Sequence, residues 1–329
     1  MPIGHSHRRP RRLRLKEGVR ALVEECALRR EDLLAPVFVS ENGTSRYPIP
    51  SLPGVERVPL PELASEALRL QSLGLRGVVL FPVNDPAVKT ADGKEAYNRE
   101  GLVQRAIAEV KRACPGLIVF ADVALDPFTT HGHDGIVDET DGEVLNDETV
   151  EALCRMSLTL ADAGVDFVAP SDMMDGRIGA IRNALDEAGH WRVGILAYSA
   201  KFASAFYGPF REAVASGARG LDKKGYQLTT GNLRQARQEV ELDEAEGADM
   251  VMVKPALPYL DVVRQTRETT HLPVVAYHVS GEYAMLKAAV EKGWLDEAPC
   301  VRETLVSLKR AGADLIVTYY AAWACENIL

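Results

Sequence analysis

Eight short runs rich in Val, Ile and Leu, amphipathic stretches between them and glycines where those stretches stop predict an α/β chain. The expected architecture is a (β/α)8 TIM barrel with an extended N-terminal arm. The runs lie at 34–39, 77–81, 117–123, 165–169, 193–198, 250–253, 273–278 and 314–319. Each is nearly continuous in hydrophobicity, as strands covered on both faces of a parallel sheet are. The first helical stretch, 61–73, has Leu63, Ala67 and Leu70 on one face, and 102–113 has Ile107 and Val110. The stretch 149–163 has Leu153, Met156 and Leu160, with Asn146 and Asp147 as candidate caps. The pattern continues through 178–188, 233–246, 259–269, 282–292 and 301–311. Gly74, Gly164, Gly189, Gly247, Gly293 and Gly312 stand where helices should end. A doubly wound sheet is the alternative. It would struggle to bring the ends of the third, fifth, sixth, seventh and eighth strands to one point.

The chain has 329 residues, 47% hydrophobic and 26% charged, which is soluble composition with length for a large core. One barrel at 31–329 behind an arm at 1–30 accounts for it. The net charge of -9 argues against general nucleic-acid binding. The basic HRRPRRLR at 7–14 therefore reads as an arm that packs on a neighbouring subunit or stays mobile, rather than as an anionic-surface patch. No apolar run is long enough to cross a membrane, and the N-terminus lacks a signal-peptide core. Cys26, Cys114, Cys154, Cys300 and Cys325 are odd in number, scattered and free of CxxC spacing, so reduced thiols in a cytoplasmic protein are expected.

In such a barrel, chemistry gathers at the C-terminal ends of the strands. The residues expected there are Phe81 from the second strand, Asp122, Asp126 and Asp134 from the third, and Ser171, Asp172 and Arg177 from the fourth. The fifth and sixth give Lys201 and Lys254, the seventh His278 and Ser280, and the eighth Thr318 and Tyr319. Two connections, 40–59 and 201–233, are too long for simple loops. The second follows Lys201 directly and reads as a lid, at about 202–232.

A lysine attacks a carbonyl only as the neutral amine. Burial disfavours the ammonium, and a second cation nearby disfavours it further. Lys201 and Lys254, each closing an apolar strand on neighbouring positions, supply both effects. One becomes a nucleophile near neutral pH, and the other a cationic partner or a second nucleophile. The plainer alternative, each lysine snorkelling to a carboxylate, is less natural for two at one rim. A Schiff-base aldolase and other imine-forming enzymes fit this much equally. The segment 121–135, with Asp122, Asp126, His131, His133 and Asp134, could bind a hard divalent ion, move protons, or form an ordinary capped turn.

The stretches DVALDPFTTHGHDG, APSDMMDGRIGAIR, YSAKFASAFYGPFREA, EGADMVMVKPALPYLD, YHVSGEYAMLKAA and AGADLIVTYY resemble the porphobilinogen synthase (5-aminolevulinate dehydratase) family, in order and over nearly the whole chain beyond the arm. RPRRLR is similar to the family's arm. The resemblance implies a barrel enzyme of tetrapyrrole biosynthesis that condenses two 5-aminolevulinate molecules into porphobilinogen with loss of two waters. It implies that Lys254 forms the imine with the substrate that becomes the propionate side. Lys201 would form or assist the other imine, with Asp122 as hydrogen-bond partner or base. Ser280 and Tyr319 would hold the first substrate's carboxylate. Arg211, Lys223 and Gln227 on the lid would hold the second. Phe81, Tyr207 and Phe210 would wall the pocket.

The family's zinc-using branch has cysteines where Ala124, Asp126 and Asp134 stand here. Carboxylates favour hard ions over Zn²⁺, so no active-site Zn²⁺ is expected, and a metal at Asp126 and Asp134 is left open. Glu239 matches the family's glutamate for an allosteric Mg²⁺. Lys223 stands where arginine is common, which keeps charge but loses the bidentate grip. The ending AAWACENIL also departs from the family. A homo-octamer is implied.

Overall fold

The computed structural model describes residues 9–41, 43, 45–214 and 222–329. Residues 7 and 8 of the basic run and 215–221 of the expected lid lie outside the described residues. The eight expected strands are present: β1 (Leu33–Ser40), β2 (Gly77–Val83), β3 (Ile118–Val123), β4 (Phe167–Pro170), β5 (Gly194–Lys201), β6 (Met250–Lys254), β7 (Val274–His278) and β8 (Leu315–Thr318). All eight pair in parallel in sequence order. β8 returns to β1, with Leu33 opposite Ile316 and Leu34 opposite Val317, so the sheet closes. Closure leaves no free barrel edge.

The helices between them are α1 (Leu63–Ser72), α2 (Leu102–Ala113), α3 (Asn146–Asp162), α4 (Arg177–Glu187), α5 (Leu233–Ala245), α6 (Leu260–Thr269), α7 (Ser280–Glu291) and α8 (Glu297–Ala311), followed by α9 (Ala321–Asn327). Each buries one face. In α2 that face is Leu102, Val103, Ala106, Ile107 and Val110, the spacing that points a helix stripe at a sheet. The six glycines expected to stop helices all have positive φ, the conformation a residue with Cβ resists.

The cap expected at α3 is corrected. The helix already begins at Asn146, and Leu145 precedes it without a side-chain cap. Asn146 is used across loops instead, accepting from the Asp175 N–H at 2.8 Å and donating to the Asp175 carbonyl at 3.2 Å.

One irregularity decides the site. On β6 the steps Val251 and Val253 face Ala197 and Ala200 on β5, so three steps of β5 span two of β6. This is a β-bulge. On a regular strand Tyr198 and Lys201, three residues apart, would face opposite sides. The bulge turns both inward and sets Lys201 directly opposite Lys254.

Arg9 to Val23 of the arm contains two short helices, Pro10–Leu13 and Glu17–Leu22, and neither has a buried residue. Leu13, Leu15, Leu22 and Val23 are exposed. Between β1 and α1, a short hairpin of Tyr47–Pro48 and Glu56–Pro59 extends β1, with Arg57 opposite Phe38.

Candidate active site

Lys201 and Lys254 end neighbouring strands and are each only 6% exposed. They differ in what neutralises them. The Lys201 ammonium donates to Asp134 Oδ2 at 2.9 Å and to the Ser171 carbonyl. Lys254 has no ion-pair partner among the described residues. Its Nζ sits among four rings, 5.0 Å from the centre of Tyr198, 5.3 Å from Tyr207, 5.1 Å from Phe210 and 4.8 Å from Tyr277.

Ring faces favour a cation. Burial and the charge of Lys201 outweigh them and the nearby carboxylates, and lower Lys254 to about 7. The geometry thus sets the two amines apart: Lys254 stands unpaired and close to neutrality, and Lys201 is bonded to a carboxylate.

Asp122, the residue before the last of β3, lines the cavity with both lysines. Burial raises its carboxyl, Lys254 offsets part of that, and the balance lies at about 7. Its Oδ1 has no hydrogen-bond partner among the described residues. An amine and a carboxyl that both titrate near neutrality can pass a proton between them at little cost. Asp134 is the opposite case. Burial pushes it up, but Lys201 and Lys223 together hold it well below the usual carboxylate range.

Asp134 also holds residues of the segment that follows β5. Lys223 Nζ donates to its Oδ1 at 2.5 Å, and Gln227 Nε2 donates to Oδ2 at 3.3 Å. Lys223 lies 3.6 Å from Asp126 as well. Tyr226 Oη meets His133 Nδ1 at 3.1 Å and accepts from the Asp134 N–H at 3.3 Å.

At the other end of the lid, the helix Gly208–Ala213 carries Phe210 over Lys254 and against Phe81, edge-on at 5.2 Å. Ser280 Oγ accepts from the Phe210 N–H at 3.0 Å and donates to the Phe206 carbonyl at 3.3 Å. Gly281 permits this approach, since a Cβ there would lie 2.5 Å from the Phe206 carbonyl oxygen. Tyr207 Oη donates to the Lys254 carbonyl at 3.0 Å.

The cavity is lined by Asp122, Asp126, Asp134, Ser171, Lys201, Tyr207, Phe210, Arg211, Lys223, Gln227 and Lys254 and leaves about 30 Å³ free.

Most of the expected residues meet here, with adjustments. Ser280 bonds the lid, and Tyr319 Oη bonds Tyr277 Oη at 3.2 Å, so both stand one layer behind the cavity. Phe81 backs Phe210 from the same layer. Lys223 and Gln227 hold Asp134, while Arg211 makes no ion pair among the described residues. Lysines take both Asp134 oxygens and Lys223 lies 3.6 Å from one Asp126 oxygen, so a divalent ion bridging Asp126 and Asp134 would have to displace a lysine. Among the described residues no three His, Cys, Asp or Glu side chains converge as metal ligands.

Glu239 lies elsewhere. It lines a separate cavity of about 480 Å³ with Glu143, Asn146, Asp175, Asp222 and Tyr226.

Three residues expected on the rim point away from it. Arg177 is fully buried and pairs with Asp243 of α5 at 3.1 Å and with Asp172 at 3.7 Å. Opening such a pair on one side costs about 3–5 kcal/mol, so it ties α4 to α5 structurally. His278 and Thr318 bond each other at 3.0 Å, one strand phase off the interior. Conversely, Tyr198 and Tyr277 were missed. On β7 the alternation that turns His278 outward turns its neighbour Tyr277 inward, a signal present in the sequence.

A closed (β/α)8 barrel with a buried, near-neutral lysine beside a second lysine, a poised carboxyl and a cationic lid defines an imine-forming barrel enzyme. The sequence profile of the family described as delta-aminolevulinic acid dehydratase matches residues 7–327. The delta-aminolevulinic acid dehydratase of Bradyrhizobium diazoefficiens is 50% identical, over 97% of this chain and 90% of that one. The chloroplastic enzyme of Physcomitrium patens is 51% identical, over 97% and 73%. The solved structure of delta-aminolevulinic acid dehydratase (porphobilinogen synthase) from Toxoplasma gondii, in complex with its reaction product porphobilinogen, superposes with a TM-score of 0.95. It is 51% identical, and the match covers 99% of this chain and 92% of that one. The chain belongs to the delta-aminolevulinic acid dehydratase family and is an enzyme, a dehydratase of the lyase class.

Proposed function

We propose that the chain condenses two 5-aminolevulinate molecules to porphobilinogen with loss of two waters, in tetrapyrrole biosynthesis, and that Lys254 opens the reaction. The observation that carries this is the Lys254 amine, buried among four rings opposite Lys201 and lowered to about 7.

The neutral amine adds to the keto carbon of one substrate. Water leaves, and an imine forms. Asp122, poised at about 7, takes and returns the protons of these steps. Ser280 and Tyr319 receive the first carboxylate once the lid helix lifts from Ser280. The second carboxylate is drawn by Arg211 and competes with Asp134 for Lys223 and Gln227. Lys201 forms or assists the second imine as its hold on Asp134 loosens. Phe81, Tyr207 and Phe210 keep water out.

Glu239 is the residue that would hold a regulatory Mg²⁺. Burial raises its carboxyl, the Arg177 cation offsets part of that, and the nearby charges of Asp243, Asp175 and Glu246 raise it again, so the surplus of carboxylates favours a cation there. With so few protein donors the ion would keep several waters, as Mg²⁺ does. Its chemistry is charge compensation at a distance from the lysines. Porphobilinogen formation is expected from 5-aminolevulinate alone, to fall on chelation and to return with added Mg²⁺. A Glu239→Gln variant should lose the response to Mg²⁺ while keeping turnover. No porphobilinogen under any condition would end the proposal, and indifference to chelator would end its Mg²⁺ part.

The exposed apolar residues of the arm support a homo-octamer in which the arm wraps a neighbour. Light scattering at micromolar concentration should give eight chains per particle, and a monomer would contradict it. A cytoplasmic location goes with the unpaired thiols. Among the described residues no helix is long and apolar enough to cross a membrane.

A further inference from the structure

We propose that Arg57 is a positioning residue for the reaction, acting through the lid helix. This rests on the proposed activity. The Glu56–Pro59 strand is fixed against β1 and against Tyr47–Pro48, so Arg57 projects from a rigid base. Its Nε donates to the Ala213 carbonyl at 2.9 Å and its Nη2 to the Glu212 carbonyl at 2.6 Å. These carbonyls close the lid helix Gly208–Ala213, and the last carbonyls of a helix have no partner within it. A guanidinium fork there satisfies two of them and meets the negative end of the helix.

The helix is thus held at both ends. Ser280 fixes Phe210 at the front, and Arg57 fixes Glu212 and Ala213 behind. Arg211 lies between these anchors and faces the cavity. A six-residue helix has little stiffness of its own, so the rear clamp sets where the Arg211 cation points. The base of the clamp is itself tethered, since Tyr283 Oη of α7 donates to the Pro53 carbonyl at 2.6 Å. The long 40–59 connection thereby gains a role: it supplies the stationary jaw of the lid. Arg57 bonds the lid helix and is not among the residues lining the cavity, so its effect falls on capture of the substrate carboxylate rather than on imine chemistry.

The test compares Arg57→Ala and Arg57→Lys with the native full-length chain. For Arg57→Ala, KM for 5-aminolevulinate is expected to rise about tenfold or more and kcat to stay within about threefold, as when uniform binding is lost. Arg57→Lys, one charged donor without the fork, should fall between. Borohydride trapping at Lys254 under saturating substrate and the melting temperature should match the native chain. An unchanged KM, or a fall in kcat at constant KM, overturns the proposal. So does a KM rise that tracks a lowered melting temperature in both variants, which would mark a merely structural role. A native chain that forms no porphobilinogen would instead remove the underlying activity, an outcome distinct from either.

Discussion

Replacing Lys254 with alanine is expected to reduce porphobilinogen formation by at least about ten-thousandfold, the scale on which loss of a covalent nucleophile is felt. The argument is one of substitution within the site. Lys201 is the other amine in reach, but it is held as a cation by Asp134 at 2.9 Å and by the Ser171 carbonyl. It cannot take over while that pairing lasts. The aromatic cage of Tyr198, Tyr207, Phe210 and Tyr277 remains closed around the truncated side chain, so the loss is chemical rather than architectural. Borohydride added during turnover should fix substrate mass on the peptide containing Lys254 in the native chain and leave that peptide unlabelled in the variant. Undiminished turnover, or native labelling confined to Lys201, would reverse the assignment of the two lysines.

The second large effect is expected from Lys201→Met, and it appears as a shift with pH. Lys254 reacts as the neutral amine, so activity of the native chain rises as pH increases through about 7. Removing the Lys201 cation removes one of the two influences that depress Lys254, while Asp122, Asp126 and Asp134 still favour its ammonium. The folded-state value of Lys254 must rise. The ascending limb should then move alkaline by about one unit or more, the size of shift a close like charge supplies. At pH 7 the neutral fraction shrinks, and turnover falls further because the second amine is gone. Asp134 keeps Lys223 as partner, so the fold survives the change. The measurement is the pH profile of kcat/KM. A limb that stays in place would show that Lys201 does not tune Lys254.

All eight strands were legible because parallel strands covered on both faces leave a simple trace: short apolar runs punctuated by glycine. The lysine pair was legible for a related reason, since two ammonium groups at the ends of such runs have no cheap explanation. What escaped was direction. His278 and Thr318 sit in the right stretches but face the helix layer, because side-chain phase at a strand end depends on local register, and Arg177 opens α4 and pairs with Asp243 of α5 instead. The engagement of Lys223 with Asp134 escaped because it joins residues far apart in sequence through a lid whose closure has no local code. Arg57 escaped for the same reason: nothing within 40–59 announces a helix end contributed by residues 212 and 213. Asn146 looked like a cap and became a cross-loop link, the usual ambiguity of a short amide near a helix start.

The single extra residue in β5 carries a consequence for how this catalyst can change over evolutionary time. Shorten that strand by one, and every amino acid type needed for the reaction is still encoded, yet one of the two amines swings toward the outer helices. Information about the reaction is therefore written in chain length as well as in residue identity. Point substitutions around the lysines can be explored one by one, whereas a lone deletion there silences the pair at a stroke.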